Sequence, residues 1–186
     1  MTIITPLTRP QNLPSILDSM DFRFIEEWLI VVDANTPPFD QHLYQNHPGI
    51  RILHCPTLSE LGSHKRNVAM DSIQNKNTFL YFLDDDNIIH PDIYNVLATI
   101  SHNVSRFYTF NQIQKSLQLR LLGDRIERYH IDTAMFLVHY GCCETIRWNP
   151  NLSEGDGIFI EDVYAKHPDA HVYLKHKNCY YNYLAG

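Results

Sequence analysis

Three consecutive aspartates, Asp84, Asp85 and Asp86, end the apolar run 78–83 (TFLYFL), with Asn87 directly behind them. Adjacent like charges repel, so the triplet needs a reason. Carboxylates spaced one residue apart can point to one side and grip a divalent cation through hard oxygens, with phosphate oxygens completing the shell. The other reading is an acidic turn ahead of a helix beginning near Pro91, where negative charge is favourable. The triplet alone leaves the two open. Other chemistry-bearing residues stand at comparable places. Thr5 ends the run 2–5 with Pro6 and Arg9 behind it, Asp33 lies at the end of the run 27–34, and Arg66 with Asn67 opens a helical stretch just ahead of the aspartates.

The elements that must position these residues alternate. TIIT (2–5), EWLIVVDA (27–34), GIRILHC (49–55) and TFLYFL (78–83) read as strands; the second and fourth are continuous apolar runs, as in strands covered on both faces. Between them lie helical stretches over LPSILDSM, with Asn12 as cap and Pro14 in the first turn, and over 59–74, a turn leading into a helix with Val68, Ala69 and Ile73 toward the sheet. A helix from Pro91 to about Ile100 follows. This alternation predicts an α/β domain with a mostly parallel sheet flanked by helices, and ligands bind such sheets outside the carboxyl ends of the strands. Strands are expected at 104–110, 117–122, 133–140 and 171–176, with a helix over 157–167. The 186 residues fit a single domain, with about 1–100 as one half and 101–186 as the other.

The composition is that of a globular protein, 44% hydrophobic and 19% charged. A net charge of −6 argues against nucleic-acid binding through a basic surface, so a polyanionic ligand needs dedicated contacts or a metal. No apolar run approaches the roughly 20 residues of a membrane span, and residues 1–11 lack the features of a signal peptide. No leader is therefore expected, and a cytoplasmic protein is. Cys55, Cys142, Cys143 and Cys179 show no zinc-site spacing and read as reduced thiols. Cys142 and Cys143 alternate sides if they lie on a strand, which puts one in the core and the other outside.

Taken in order, TPLTRP at 5–10, Asp33, RNVAM at 66–70 and YFLDDDN at 81–87 resemble the nucleotide-sugar-binding half of GT-A glycosyltransferases. The likeness is to family-2-like enzymes, and especially to the β-1,3-glucuronyltransferases. It covers roughly residues 3 to 95. The resemblance implies Pro6 and Arg9 in the loop beside the nucleotide and Asp33 facing the uracil ring. It implies Arg66 near the diphosphate, Asn67 shaping the nucleotide pocket, Asp84 near ribose or sugar, Asp85 at the donor sugar, and Asp86 on the metal with Asp84 close by. The metal implied is Mn²⁺ or Mg²⁺ and the donor a UDP-sugar. A cation there would offset the charge developing on the departing nucleoside diphosphate.

An inverting transferase also needs a carboxylate to deprotonate the acceptor hydroxyl. EGDGIFIEDVYAKH resembles the acidic element of these families and supplies Asp162, with Glu161 close behind because the glucuronyltransferases use Glu; Asp156 is a weaker third. Asp132 resembles a residue of the strand backing the acceptor site and reads equally as a turn residue. Trp148 reads either as a platform for a sugar ring or as a buried core residue. A late histidine ligates the metal in many relatives, and His176, with His171 behind it, is best placed.

The expectation is a metal-dependent, inverting glycosyltransferase acting on a glycan, lipid or protein acceptor. The alternatives are a non-catalytic nucleotide- or carbohydrate-binding module of the same fold and a nucleotidyltransferase. The second is disfavoured because the glycine-rich loop that lets backbone N–H groups approach a triphosphate is absent.

Overall fold

In the computed structural model, which describes residues 1–58, 62–101, 104–152 and 155–185, each apolar run of the first half is a strand. β1 (Thr2–Pro6), β2 (Glu27–Val32), β3 (Ile50–His54) and β4 (Phe79–Phe82) are separated by α1 (Leu13–Asp18), α2 (His42–Gln45) and α3 (Ser63–Ser72). The turn residues expected at 59–61 lie outside the described residues. All of β1 and β4, and β2 from Trp28 onward, are buried, as continuous apolar strands covered on both faces must be. α4 (Asp92–Leu97), β5 (Phe107–Ile113), β6 (Leu119–Leu121), β7 (Phe136–His139), α5 (Tyr140–Cys143), α6 (Gly155–Lys166) and β8 (His171–Tyr180) follow.

Among the described residues, eight strands form one sheet in the order β3-β2-β1-β4-β7-β5-β6, with β8 paired to β5. β1 runs parallel to both β2 and β4, and β2 parallel to β3. β7 is antiparallel to β4 and to β5, and β8 is parallel to β5. The sheet is therefore mostly parallel on one side and mixed on the other. The carboxyl ends of β1, β2 and β4 share one edge, so the segments after Pro6, Val32 and Phe82 converge there. Backbone bonds prolong the ladder into them: Leu7 N–H donates to Val31 O at 2.8 Å and Leu83 N–H to Ile4 O at 3.0 Å.

Several local expectations change. Asn12 does not cap α1: it closes a 3₁₀ turn at Pro10–Asn12 with helical φ and ψ. The run 133–140 is divided rather than one strand. Asp132 accepts from Thr133 N–H at 2.8 Å and caps a 3₁₀ turn at Thr133–Met135; β7 follows, and His139 then accepts from Gly141 N–H at 3.1 Å to start α5. Cys142 and Cys143 thus lie on a helix, and both are buried, as are Cys55 and Cys179; none forms a disulfide. β8 extends beyond 176 to Tyr180 across a wide register shift, Tyr173 facing Thr109 and Asn178 facing Asn111.

One glycine is fixed by close approach. A Cβ on Gly123 would lie 2.2 Å from Phe110 O and 2.7 Å from Phe110 C, both backbone atoms of β5, while Thr109 Oγ1 donates to Gly123 O at 2.6 Å. Backbone cannot swing aside as a side chain can. Gly123→Ala is expected to destabilise the fold by about 1–3 kcal/mol through overpacking. That lowers the melting temperature by roughly 3–10 °C; an unchanged melt by circular dichroism would remove this contact from the account.

Candidate active site

Asp85, the middle of the triplet, is the most enclosed. Its side chain is 3% exposed, and its carboxylate accepts from the Thr8 and Arg9 backbone N–H groups, from Thr8 Oγ1 at 2.9 Å and from the Arg9 guanidinium at 2.7 Å. Asn12 Nδ2, freed from capping, donates to Asp85 O at 2.7 Å. This carboxylate folds the loop after β1 onto the end of β4. It is spent internally and does not open toward a donor sugar, a correction to the expectation for Asp85. The alternative of a helix cap also falls away, because the triplet forms a turn, Asn87 N–H to Asp84 O at 3.0 Å, and the acid in the first turn of α4 is Asp92.

Asp84 and Asp86 flank it less enclosed, their side chains 32% and 13% exposed. Arg9 reaches Asp86 Oδ2 at 3.0 Å and Arg66 meets Asp84 Oδ1 at 2.5 Å. Burial, helped by the neighbouring Asp84 charge, raises the Asp86 carboxyl above its ordinary range; Arg9 offsets this only in part. Carboxylate oxygens such as those of Asp84 and Asp86 are the hard ligand type that a divalent cation takes. Among the described residues no group of three or more His, Cys, Asp or Glu side chains is gathered as a protein-only metal cage. His176 lies exposed where β8 shifts register. His171 is bonded through Nε2 to Thr109 Oγ1 at 2.8 Å and stacked on Phe107.

α3 delivers three consecutive polar side chains. Lys65 is 1% exposed; its Nζ lies 3.2 Å from Asp33 Oδ2 and donates to Leu7 O at 2.6 Å. Asp33 Oδ1 accepts from Asn35 N–H and Thr36 Oγ1, so this carboxylate, with its side chain 2% exposed, organises the turn after β2. Burial works against the Arg66 cation, and Asp84, Asp156 and Asp132 together outweigh it and raise its pKa. Asn67 holds the Trp148 backbone: Nδ2 donates to Trp148 O and Oδ1 accepts from Trp148 N–H, both at 2.8 Å. Gly62 precedes α3 at φ 74°, where a Cβ would press on Pro6 and the Arg66 guanidinium at 3.1 Å. Thr5 is buried and accepts from Trp28 Nε1 at 2.9 Å.

In the second half, Asp156 is the α6 acid that lies near Arg66, Asp84 and Asp132. Burial pushes the Asp156 carboxyl up to about 6 from 3.8; the nearby Asp84 and Asp132 charges add to this and Arg66 opposes it. Asp156 and Asp132 line a cavity of about 440 Å³ with Arg120, Tyr129 and Tyr181. Arg120 lies 3.1 Å from Asp132 Oδ2 and its guanidinium sits 3.6 Å above the Tyr181 ring. Glu161 is bound to Arg128 through that residue's backbone N–H and side chain, and Asp162 is exposed. Six residues on from Asp156, Asp162 is rotated by roughly 240° around the helix. Trp148 is 1% exposed, the core alternative of its two readings.

Comparison with solved structures fits this arrangement. S. aureus TarS 1–349 in complex with UDP-GlcNAc superposes with a TM-score of 0.74 at 18% identity, over 97% of this chain and 57% of that one. Glucosyl-3-phosphoglycerate synthase from Mycobacterium tuberculosis, in complex with Mn²⁺, UDP and glucosyl-3-phosphoglycerate, gives 0.63 at 11% identity over 95% and 69%. The chain has the GT-A fold. It spans less than three fifths of the TarS structure with bound UDP-GlcNAc. A third GT-A neighbour in shape, the inositol-1-phosphate CTP transferase from T. maritima, gives 0.55 at 10% identity over 96% and 87%. No family model and no curated protein matches the sequence. Among the described residues no helix is long and apolar enough to cross a membrane.

Sequence reasoning missed Lys65, Thr8 and the role of Asn12. The signal for Lys65 was its place four residues before Ala69, on the stripe that faces the sheet. Lys65→Met leaves Asp33 buried and uncompensated and is expected to destabilise by about 3–5 kcal/mol. Adding Asp33→Asn should recover part of the loss in urea unfolding; a double variant no more stable than Lys65→Met would show that the pair is not coupled.

Proposed function

We propose that this protein is a metal-dependent, inverting glycosyltransferase that moves a sugar from a UDP-sugar to a hydroxyl acceptor. The observation that carries the reading is the facing of two unlike groups. Arg66 and Asp84 stand at the carboxyl edge of the sheet, and Asp156, with its raised pKa, stands close enough to feel both charges while lining the adjoining cavity. In this reading Pro6 and Arg9 lie beside the nucleotide, and Asp33, through the turn it holds, shapes the uracil pocket. Arg66 meets the diphosphate, and Asp84 and Asp86 hold the divalent cation. A bound cation supplies charge stabilisation for the departing UDP. Asp156 accepts the proton of the acceptor hydroxyl as its oxygen attacks the anomeric carbon, and the cavity beside it receives a glycan, lipid or protein acceptor. A carboxyl near 6 suits a general base at neutral pH. Asp132 with Arg120 orients the cavity wall.

Calorimetry with UDP tests the donor half. UDP is expected to bind in the presence of Mn²⁺, and Asp86→Ala to weaken it at least about tenfold with an unchanged fold, the scale of one lost charge-assisted contact. No binding of UDP with or without Mn²⁺ would reject the donor assignment.

UDP release from a panel of UDP-sugars tests the base. Asp156→Asn should keep UDP affinity and lose about 10²–10⁴-fold in transfer, while Glu161→Gln and Asp162→Asn retain it. The base works ionised, so wild-type transfer should level off about one unit above the folded pKa of about 6 and fall as pH drops through it. Normal transfer by Asp156→Asn with an inactive Asp162→Asn would move the role to Asp162. The CTP transferase likeness favours one second reading, a nucleotidyltransferase, for which pyrophosphate release from a nucleoside triphosphate is the sign. Tight UDP binding with no turnover over a broad acceptor screen would instead indicate a binding module.

A further inference from the structure

Trp148 touches the elements that carry Arg66, Asp84 and Asp156. Its ring lies 4.5 Å from the Arg66 guanidinium of α3, 4.9 Å from Phe82 of β4 and 4.6 Å from Phe159 of α6, the last with the planes only 6° apart. Phe82 stands two residues before Asp84, and Phe159 three residues after Asp156, about one helical turn. The first residue of α6 is close as well: a Cβ on Gly155 would sit 3.6 Å from the indole. The backbone of Trp148 is held as firmly as its ring, since the Asn67 amide bonds its N–H and its C=O in the manner of one rung of a sheet.

We propose that Trp148 is a positioning residue that sets the Arg66 guanidinium in place against Asp84 and registers it to Asp156, the proposed base. The inference rests on the donor reading above. The Asp84 carboxylate, one-third exposed, meets the buried guanidinium through Oδ1. The flat indole face adds a restraint on its direction, and a cation over an aromatic face is favourable on its own account. Asn67 follows Arg66 directly, so the same two-residue step that sends the guanidinium to the ring clamps the main chain carrying that ring.

The test uses UDP with Mn²⁺ as the probe and thermally folded variants only. Trp148→Leu removes the aromatic face and is expected to weaken UDP binding about tenfold, whereas Trp148→Phe, which keeps a flat ring against Phe159, should stay within about threefold of wild type. In an Arg66→Gln background neither substitution should change UDP affinity by more than about twofold, since the group being positioned is gone. Should Trp148→Leu fail to fold, Trp148→Phe is read alone, as a loss of about two- to threefold present with Arg66 and absent without it. Wild-type affinity in folded Trp148→Leu (or in Trp148→Phe where the leucine variant does not fold), or an equal loss in the Arg66→Gln background, overturns the proposal and leaves Trp148 as core. Failure of the wild-type protein to bind UDP is a different result, and it removes the donor reading together with this one.

Discussion

The site depends on one carboxylate turned inward. Asp85 gathers two backbone N–H groups, a hydroxyl and a guanidinium from the segment Thr8–Arg9, and its own carbonyl takes the Asn12 amide. Without those donors a buried charge would be strongly unfavourable; with them it binds the β1 loop to the end of β4. The flanking aspartates are thereby presented outward at a fixed spacing. The repulsion among three adjacent charges is met by division of labour, Arg9 serving Asp85 and Asp86 while Arg66 serves Asp84.

α3 distributes order in the same way. Successive helical residues diverge by roughly 100°, so Lys65, Arg66 and Asn67 reach three different neighbours. Lys65 ties Asp33 to the Leu7 carbonyl, Arg66 meets Asp84, and Asn67 holds the backbone at Trp148. A single turn of helix therefore aligns the segments after β1, β2 and β4 with the second half of the chain. The positive φ of Gly62 lets the chain enter this turn close to Pro6.

The parallel half of the sheet was legible because buried parallel strands are written as uninterrupted apolar runs, and 27–34 and 78–83 are such runs. The residues at their ends were legible for the same reason, since strand ends converge on one edge. What each side chain does there was less so. Asp85 and Asp84 are the same residue type one position apart, and only the fold decides which faces inward. Lys65 was not singled out because its charge masks its place on a buried stripe. Which acid of α6 turns inward was not legible, because the sequence shows which residues neighbour one another on a helix but not where the helix is anchored. Trp148 and Phe159 anchor it so that Asp156 turns inward and Glu161 is left to Arg128. In 133–140 the apolar pattern hid two side-chain caps, Asp132 and His139, which divide the run.

The segment after β8 crosses back over the acidic turn, with Leu184 N–H on Asp86 O at 2.8 Å and Tyr183 N–H on Asn87 Oδ1 at 3.1 Å. These bonds join residues almost a hundred positions apart, and β8 itself pairs with a strand some sixty positions earlier. During synthesis, β1 to β4 can assemble as soon as they emerge, but the acidic turn waits for its last two hydrogen bonds until residues beyond 180 have been made. Contacts of that sequence separation form late and slowly. A nascent chain would hold the sheet edge and its aspartates before the site could close around them.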